Sequence, residues 1–416
     1  MRLAPPTLAL SVLVTAALAA CGDDAVTTDT SVADSAAATD SATATDATAT
    51  VDSDPPDSAE PVDTADAAVP DGDADADAVE EVVPPCAERP NAFVYPDEIV
   101  AWNDYDLATQ IASLEPANHR GQDVVVEVGQ PQLLVAKFAY SFFDKDMKKE
   151  DVSIWMQREP PCGAWEWMGD ARTSDDGQYG TQYGIEDDGG RVFFEIPDAR
   201  AFPVGRYPIR MVMKGDLTMA AFDLIVVAPG TQAVVTDIDG TLTTGDEELI
   251  LELVEDIFNE TYVQQMYPDA DTMLSGWADK GYLIVYMTGR PDILRPMTER
   301  WVEDASARHF PPGPLHLTDT NAQAVPNNDG VGTYKAQYLA YLKAQGLDIV
   351  AAYGNATTDI YAYAQAGIPK EHTWIIGTHR GEENTQPLQG GYTSHLPTAA
   401  AFPAATIPAP PAFGWW

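Results

Sequence analysis

From residue 232 onward, apolar strand-like runs alternate with amphipathic helical segments, and polar side chains follow several of the runs. The pattern predicts strands at 232–236, 282–287, 348–353 and 373–377 and helices at 246–266, 291–305, 334–345 and 357–366. Strands that alternate with helices in this way form a doubly wound parallel sheet, with its functional groups at the carboxyl ends of the strands. The predicted class of the region 231–402 is therefore α/β.

The motif Asp237-Ile-Asp-Gly-Thr241 follows the first of these strands. Two carboxylates that are two residues apart at a strand end face the same way, and Gly240 allows the chain to turn sharply there. One carboxylate of such a pair can attack phosphorus while the other moves protons. The motif therefore predicts phosphoryl transfer, with Asp237 and Asp239 as the catalytic residues and Thr241 at the phosphate.

Three further polar groups follow in order along the chain. Thr288 and Gly289 end the second strand, where a hydroxyl and backbone N–H groups can hold phosphate oxygens. Lys335 begins a helix and can neutralise a phosphoryl group, although a surface lysine is the alternative. Asp359 follows a later strand and is a candidate Mg²⁺ ligand, since Mg²⁺ prefers oxygen. Its alternative is an acid that stabilises a helix N-terminus.

Taken together, these elements resemble the haloacid-dehalogenase-type phosphatase superfamily. The finer resemblance is to the lipin-type phosphatase domain, also found at the C-terminus of the Nir/RdgB phosphatidylinositol-transfer proteins. It is carried by the segments 237–241, 281–291, 311–317, 353–363, 366–369 and 391–396. An immunoglobulin-like module accompanies the catalytic domain in that family.

The resemblance implies a role for each matching residue. Asp237 would be the nucleophile that forms an aspartyl-phosphate, and Asp239 the general acid and base, with its backbone carbonyl on Mg²⁺. Thr288 and Lys335 would bind the phosphoryl group. The same resemblance gives Mg²⁺ a site that includes Asp237 and Asp359, together with Asn355 either as a neutral ligand or as a group that supports one. Animal members of the transfer-protein branch can lack the first Asp and act as phosphatidate-binding modules. Both Asp residues are present here, which favours catalysis.

The leading functional prediction is Mg²⁺-dependent hydrolysis of a lipid phosphomonoester, with phosphatidate suggested by analogy. The short gaps around the motifs leave no room for a large cap domain, which suits a bulky substrate. Three alternatives stay open. They are a module that binds phosphatidate or another phospholipid without turnover, a phosphatase for a soluble phosphomonoester, and a surface scaffold with a vestigial phosphatase fold.

The region 90–228 has a different pattern, with short runs rich in β-branched and aromatic residues between Gly- and Asp-rich turns. Such runs without a helical period predict an antiparallel sandwich, here an immunoglobulin-like one. A Pro-rich and aromatic tail, 403–416, follows the α/β region. Packing of this tail or its disorder is favoured over contact of its Trp residues with a membrane.

The N-terminus reads as an export signal. A short apolar run ends in Leu18-Ala-Ala-Cys21, which resembles a bacterial lipobox. The prediction is a signal peptide at 1–20 and a lipid anchor on Cys21 that holds the chain at a membrane of the bacterial cell envelope. An ordinary secretory signal is the alternative. Cys86 and Cys162 are then a predicted disulfide, with two unpaired thiols as the other possibility.

The segment 21–85 is predicted to be a disordered acidic tether. Residues 22–85 contain 15 Asp, 3 Glu and no aromatic or basic residue, so they cannot bury enough surface to offset their ordering entropy. The whole chain has 23 Lys and Arg against 65 Asp and Glu. That balance excludes nucleic acid as a partner, because phosphate backbones are bound through basic residues.

Overall fold

The computed structural model of the chain describes residues 92–104, 110, 113–141, 144–182, 185–245, 264–304, 307–320 and 323–412. The predictions on the signal peptide, Cys21, the acidic tether and Cys86 lie outside these residues. So do residues 246–263 of the first predicted helix and the last four residues of the tail.

The first part of the described chain is built from strands. They are β1 (Arg120–Gly121), β2 (Val124–Glu127), β3 (Leu133–Lys137), β4 (Ala139–Tyr140), β5 (Lys145–Asp146), β6 (Asp151–Gln157), β7 (Trp165–Arg172), β8 (Thr181–Gln182), β9 (Ile185–Glu186), β10 (Arg191–Glu195), β11 (Gly205–Met213) and β12 (Met219–Val227). One sheet has the order β2-β12-β11-β6-β7 and the other β1-β3-β10. Neighbouring strands run antiparallel in both sheets except β2 and β12, which run parallel.

Alternation along the strands places the core between these two sheets. On β6, Val152, Ile154 and Met156 are fully buried and pack with β3, β10, β11 and β12 side chains in one apolar cluster. Every second residue of a strand faces the same side, so one face of β6 supplies this cluster. The region is a β-sandwich, as predicted, but the parallel pair β2 and β12 departs from the purely antiparallel sandwich that was expected. Its immunoglobulin-like character stays a prediction.

The second part alternates strands and helices. Its elements are β13 (Gln232–Asp237), α1 (Ala270–Ala278), β14 (Leu283–Pro291), α2 (Arg295–Glu303), β15 (Leu315–Thr318), α3 (Thr333–Ala344), β16 (Asp348–Gly354), α4 (Thr357–Gln365), β17 (Thr373–Ile375), β18 (Gln386–Pro387) and α5 (Leu396–Ala401). A π-helical turn, Asn328–Gly332, leads into α3. Single 3-10 turns are found at Asp198–Arg200, Asp292–Leu294, Lys370–His372 and Glu382–Asn384.

The six strands form one parallel sheet with the order β15-β14-β13-β16-β17-β18. Helices cover both faces: Trp277 of α1 and Trp301 of α2 belong to one apolar cluster, and Leu339 of α3 and Tyr363 of α4 to another. Central parallel strands are therefore buried on both sides, which explains their continuous apolar runs. The α/β prediction is confirmed, and four of its strands and three of its helices lie where the pattern placed them. Helix α1 was not predicted.

The sandwich packs directly on the α/β part. Val125, Ile225 and Val227 of the sandwich belong to the same buried cluster as α3 and α4. Asp123 accepts hydrogen bonds from the Arg295 guanidinium at 2.9 Å and from the Leu315 backbone N–H at 2.8 Å. The two parts therefore share apolar surface and a buried ion pair.

The described part of the C-terminal tail also packs on the α/β part. The Ala405 and Ala409 N–H groups donate to the Lys280 and Gly281 carbonyls, each at 2.8 Å. Among the described helices, none combines the length and the hydropathy needed to cross a lipid bilayer.

Replacing Asp123 with Ala should lower the free energy of unfolding by about 3 kcal/mol, because it leaves the buried Arg295 guanidinium without one of its carboxylates. The measurement is urea denaturation followed by circular dichroism. Glu383→Ala is the control, since Glu383 is 65% exposed in its pair with Lys370 and should change stability by less than about 1 kcal/mol. Equal effects of the two substitutions would contradict a stabilising role for the Asp123 contact.

Candidate phosphate-binding site

Three neighbouring strands bring the predicted residues to one edge of the sheet. Strand β13 ends at Asp237, β14 carries Thr288 and Gly289 near its end, and β16 ends just before Asn355. Because β14, β13 and β16 are adjacent and parallel, their carboxyl ends lie side by side. Gly240 turns the chain after Asp239 with φ of 66°, a conformation that disfavours residues with a Cβ.

Lys335 lies between two of the carboxylates. Its ammonium nitrogen is 2.6 Å from Asp237 Oδ1 and 2.6 Å from Asp359 Oδ1, and all three side chains are buried. Burial lowers the pKa of Lys335, but the two carboxylates outweigh this effect and raise it above its usual value. The lysine is therefore charged and is not the surface residue of the alternative interpretation.

Burial has the opposite effect on Asp237. It raises the pKa of this carboxyl group to about 8, although Lys335 acts against the shift, and the nearby Asp359 and Asp239 carboxylates add to it. The physical reason is that two carboxylates share one ammonium in a region that excludes water.

The carboxylate of Asp239 is bound by Arg290. The guanidinium donates to Asp239 Oδ1 from Nη2 at 2.6 Å and to Oδ2 from Nε at 3.0 Å, and Arg290 is fully buried. The Thr288 hydroxyl donates to Asp239 Oδ2 at 2.8 Å. Both oxygens of Asp239 are therefore engaged, as in a bidentate arginine–carboxylate pair.

Asp359 makes two kinds of contact. Its Oδ2 accepts the backbone N–H groups of Asn355 at 3.0 Å and Ala356 at 3.1 Å, at the start of α4. Its Oδ1 pairs with Lys335. The residue thus occupies the helix N-terminus, as the alternative interpretation proposed, and also belongs to the charged cluster.

Thr241 connects the remaining two predicted residues. Its hydroxyl donates to Asp237 Oδ2 at 2.9 Å and is 3.3 Å from Asn355 Oδ1. Tyr392, which precedes α5 in the chain, stabilises the same turn, because its hydroxyl donates to the Thr241 carbonyl at 2.9 Å.

Two of the four predicted Mg²⁺ ligands fit such an ion. Asp237 Oδ2 and Asn355 Oδ1 are oxygens close to one neutral hydroxyl, and Mg²⁺ is commonly held by one or two protein oxygens together with water and phosphate. Both oxygens of the Asp359 carboxylate are already occupied, one by Lys335 and the other by two backbone N–H groups. Asp239 was predicted to bind Mg²⁺ through its backbone carbonyl, and this stays a prediction, while its carboxylate is occupied by Arg290.

Of the cysteines with predicted roles, only Cys162 lies among the described residues. Cys162, in the turn after β6, is disulfide-bonded. Its partner lies outside the described residues, so the pairing with Cys86 stays a prediction, as does the lipid on Cys21.

Arg290 was not among the predicted site residues, although it stands in the same Thr288-Gly-Arg290 motif. An arginine at the end of an otherwise apolar strand needs a buried anion, and that need was the available signal. Gln264 was also missed. Its side-chain amide oxygen Oε1 accepts a hydrogen bond from Arg290 Nη2 at 2.8 Å. No motif in the sequence surrounds this residue.

Both parts of the described chain match domain models of one family. Residues 117–226 match the model described as "PITM 1-3, beta-sandwich domain", and residues 234–377 match "PITM 1-3, LNS2 domain". The chain contains a β-sandwich domain followed by an LNS2 domain.

Named relatives agree with these matches. Membrane-associated phosphatidylinositol transfer protein 1 of Homo sapiens is 33% identical over 284 residues, which cover 67% of this chain and 20% of the relative. Protein retinal degeneration B of Drosophila melanogaster is 30% identical over 289 residues, with 67% and 20% covered. Membrane-associated phosphatidylinositol transfer protein 3 of Mus musculus is 30% identical over 283 residues, with 67% and 26% covered. The match thus spans a fifth to a quarter of the length of these relatives.

These relatives correct one prediction. The sequence predicted an enzyme, a Mg²⁺-dependent phosphatase, but two of these three relatives are named as phosphatidylinositol transfer proteins, which are lipid transfer proteins rather than phosphatases. The enzyme prediction is wrong. The catalytic roles of Asp237 and Asp239 stay predictions from the motif. The LNS2 match agrees with the predicted resemblance to the transfer-protein branch.

Arg290→Ala should lower the free energy of unfolding by about 3–5 kcal/mol, because it leaves the Asp239 carboxylate buried without a cation. Asp239→Ala in the same chain should recover part of this loss, since the two effects are coupled. Urea denaturation of the single and double variants measures the coupling. Arg172→Ala, at a pair whose arginine side chain is 58% exposed, is the control and should cost less than about 1 kcal/mol. If the double variant loses as much stability as the two single variants together, the coupling between Arg290 and Asp239 is contradicted.

Proposed function

We propose that the LNS2 domain binds the phosphate group of a phospholipid without cleaving it, with phosphatidate as the leading candidate. The observation that carries this proposal is the ion pair of Asp239 and Arg290. A carboxylate that moves protons during hydrolysis must be able to gain and lose a proton near the substrate. Asp239 instead holds a buried guanidinium through both oxygens.

Lys335 supplies the positive charge for the phosphate. Its ammonium is a compact charge with three donors, and in the absence of ligand it is shared by Asp237 and Asp359. A phosphate oxygen can take one of these positions, while Asp359 remains fixed by the N–H groups at the start of α4.

The charge balance of the cluster favours a divalent cation as a second component. Among the described residues, Asp237, Asp239 and Asp359 are paired with two cations, Lys335 and Arg290. Because the pKa of Asp237 is raised to about 8, the cluster is close to neutral at neutral pH, and it becomes negative and repels phosphate when Asp237 is ionised. Mg²⁺ held by Asp237 and Asn355 would neutralise this charge between the protein and the headgroup. Mg²⁺ at this site is part of the proposal.

The burial of the cluster favours a phosphomonoester over a phosphodiester. Asp237 and Lys335 are each 3% exposed, and a terminal phosphate can approach such residues with its free oxygens first. A phosphodiester such as phosphatidylinositol carries a second bulky group on the phosphate. The names of the relatives mention phosphatidylinositol, so both lipids belong in the test.

The net negative charge of the chain repels it from an anionic membrane. Residues 86–416 have 22 Lys and Arg against 47 Asp and Glu, which leaves a net charge of −25. Repulsion from an anionic bilayer is screened by salt over a Debye length of about 8–10 Å, and divalent cations reduce it further. A lipid on Cys21 would add attachment that does not depend on charge.

Sedimentation with phosphatidylcholine liposomes that contain equal fractions of phosphatidate or phosphatidylinositol tests the proposal. The protein should sediment with phosphatidate liposomes in Mg²⁺, less after chelation, and less with phosphatidylinositol. Lys335→Met should weaken retention by roughly tenfold or more, which corresponds to about 1.4 kcal/mol.

Lys343→Met is the matched control, because Lys343 lies on the same helix and is exposed. Thermal unfolding of each variant checks that it is folded. If Lys335→Met does not fold, the double variant Lys335→Met/Asp359→Asn is used in its place. The second substitution removes one of the two carboxylates that lose their cation with Lys335. Retention of the folded variant at the wild-type level, or equal retention by pure phosphatidylcholine, would show that the site does not bind the phosphate.

A further inference from the structure

The first strand of the β-sandwich lies against the loops that follow β14 and β15. Arg120 of β1 donates from Nη2 to Asp292 Oδ1 at 3.2 Å, and Gln122, two residues later, donates to Asp319 Oδ1 at 2.7 Å. Asp292 is the second residue after Arg290, and Asp319 is the first residue after β15. Both carboxylates therefore lie at the carboxyl edge of the parallel sheet, the edge that carries the candidate phosphate-binding site.

Arg120 belongs to a row of three buried cations. It lies beside Lys137 of β3, which in turn lies beside Arg191 of β10, and the three residues are 2–4% exposed. Residues that are directly opposite on neighbouring strands share one face of a sheet. Arg191 reaches the same turn as Arg120, since its Nη2 is 3.8 Å from Asp292 Oδ2. Two arginines of the sandwich thus hold one carboxylate of the α/β domain.

Each of the two arginines also has an acid of the sandwich as a partner. Asp144 accepts two hydrogen bonds from Arg120, each at 2.7 Å, and Asp188 accepts one from Arg191 at 2.7 Å. These two side chains are 23% and 52% exposed, whereas that of Asp292 is 14% exposed. Loss of one partner of a buried ion pair is destabilising. Asp292 joins the two arginines, so both of them determine its position.

The turn that begins at Asp292 is continuous with the site. Strand β14 extends past the end of β13, and its residues 288–290 include Arg290, the guanidinium of which binds Asp239. Only Pro291 separates Arg290 from Asp292, and proline restricts the rotation of the backbone that joins them. A displacement of Asp292 is therefore passed on to residues 288–290.

We propose that Arg120 and Arg191 of the β-sandwich position residues 288–290 of the phosphate-binding site through Asp292, which makes the sandwich a part of the phospholipid site. Asp292 is a positioning residue and does not itself contact the phosphate. The consequence for lipid binding rests on the function proposed above, whereas the positioning of residues 288–290 can be measured without lipid.

Hydrogen exchange followed by mass spectrometry tests the positioning in the absence of lipid. Asp292→Asn keeps the shape of the side chain and removes the charge that both arginines hold. Amide exchange in a peptide that covers 287–291 should become faster by roughly threefold or more. Asp292→Glu keeps the charge and should exchange more slowly than Asp292→Asn. Asp223→Asn is the control, because it breaks a buried ion pair with Arg206 on the other sheet of the sandwich.

Sedimentation with phosphatidate liposomes in Mg²⁺ tests the consequence for binding. Asp292→Asn should weaken retention by roughly threefold to tenfold, and Asp223→Asn should be retained as the wild type is. Arg120→Gln combined with Asp292→Asn should lose less than the two single variants together, because both substitutions break the same contact. Thermal unfolding checks that each variant is folded. If Asp292→Asn does not fold, Arg120→Lys takes its place, since it keeps a charge but loses the guanidinium.

The outcomes separate the two proposals. Unchanged exchange of 287–291 in the folded variant overturns the positioning role whether or not the protein binds lipid. Equal effects of Asp223→Asn overturn it as well, since general destabilisation would then explain them. Faster exchange with retention at the wild-type level overturns the part that concerns binding. Faster exchange together with no retention of the wild type contradicts the proposed function and supports the positioning of residues 288–290.

Discussion

The site depends on the compensation of buried charge at the carboxyl edge of the parallel sheet. Three carboxylates and two cations are collected there with almost no exposure to solvent, and an unpaired charge in such a place is strongly destabilising. Each cation is therefore paired with carboxylates: Lys335 with Asp237 and Asp359, and Arg290 with Asp239. The two carboxylates of the Asp237-x-Asp239 motif are thus paired with different cations. Asp237 shares the Lys335 ammonium with Asp359, whereas Asp239 is bound through both oxygens.

The same principle applies between the domains. Asp123 of the sandwich compensates the buried Arg295 of α2 and accepts the N–H group at the start of β15. The β2 and β12 side chains meanwhile complete the apolar cluster that covers α3 and α4. Since α3 carries Lys335 near its beginning, the packing of the sandwich supports the helix that positions the central cation.

The sequence allowed much of this architecture to be predicted, because it depends on local patterns. Apolar runs of strand length followed by Asp237, Thr288 and Asn355 indicate a parallel sheet with polar groups at one edge. The pairing of charges could not be predicted in the same way, since Arg290 and Asp239 are 51 positions apart and only the fold shows which anion meets which cation. The names of the relatives overturned the enzyme prediction. The motif had identified only residue types, and a carboxylate that is bound by a cation cannot be distinguished in the sequence from one that is not.

The most direct test of binding without turnover is ³¹P nuclear magnetic resonance of phosphatidate liposomes incubated with the protein and Mg²⁺. We expect a phosphatidate signal that is shifted or broadened by the wild type and not by Lys335→Met, with no inorganic phosphate formed over time. Inorganic phosphate released by the wild type and lost in Asp237→Asn would contradict it, because it would mean that the pairing of Asp239 with Arg290 does not prevent hydrolysis.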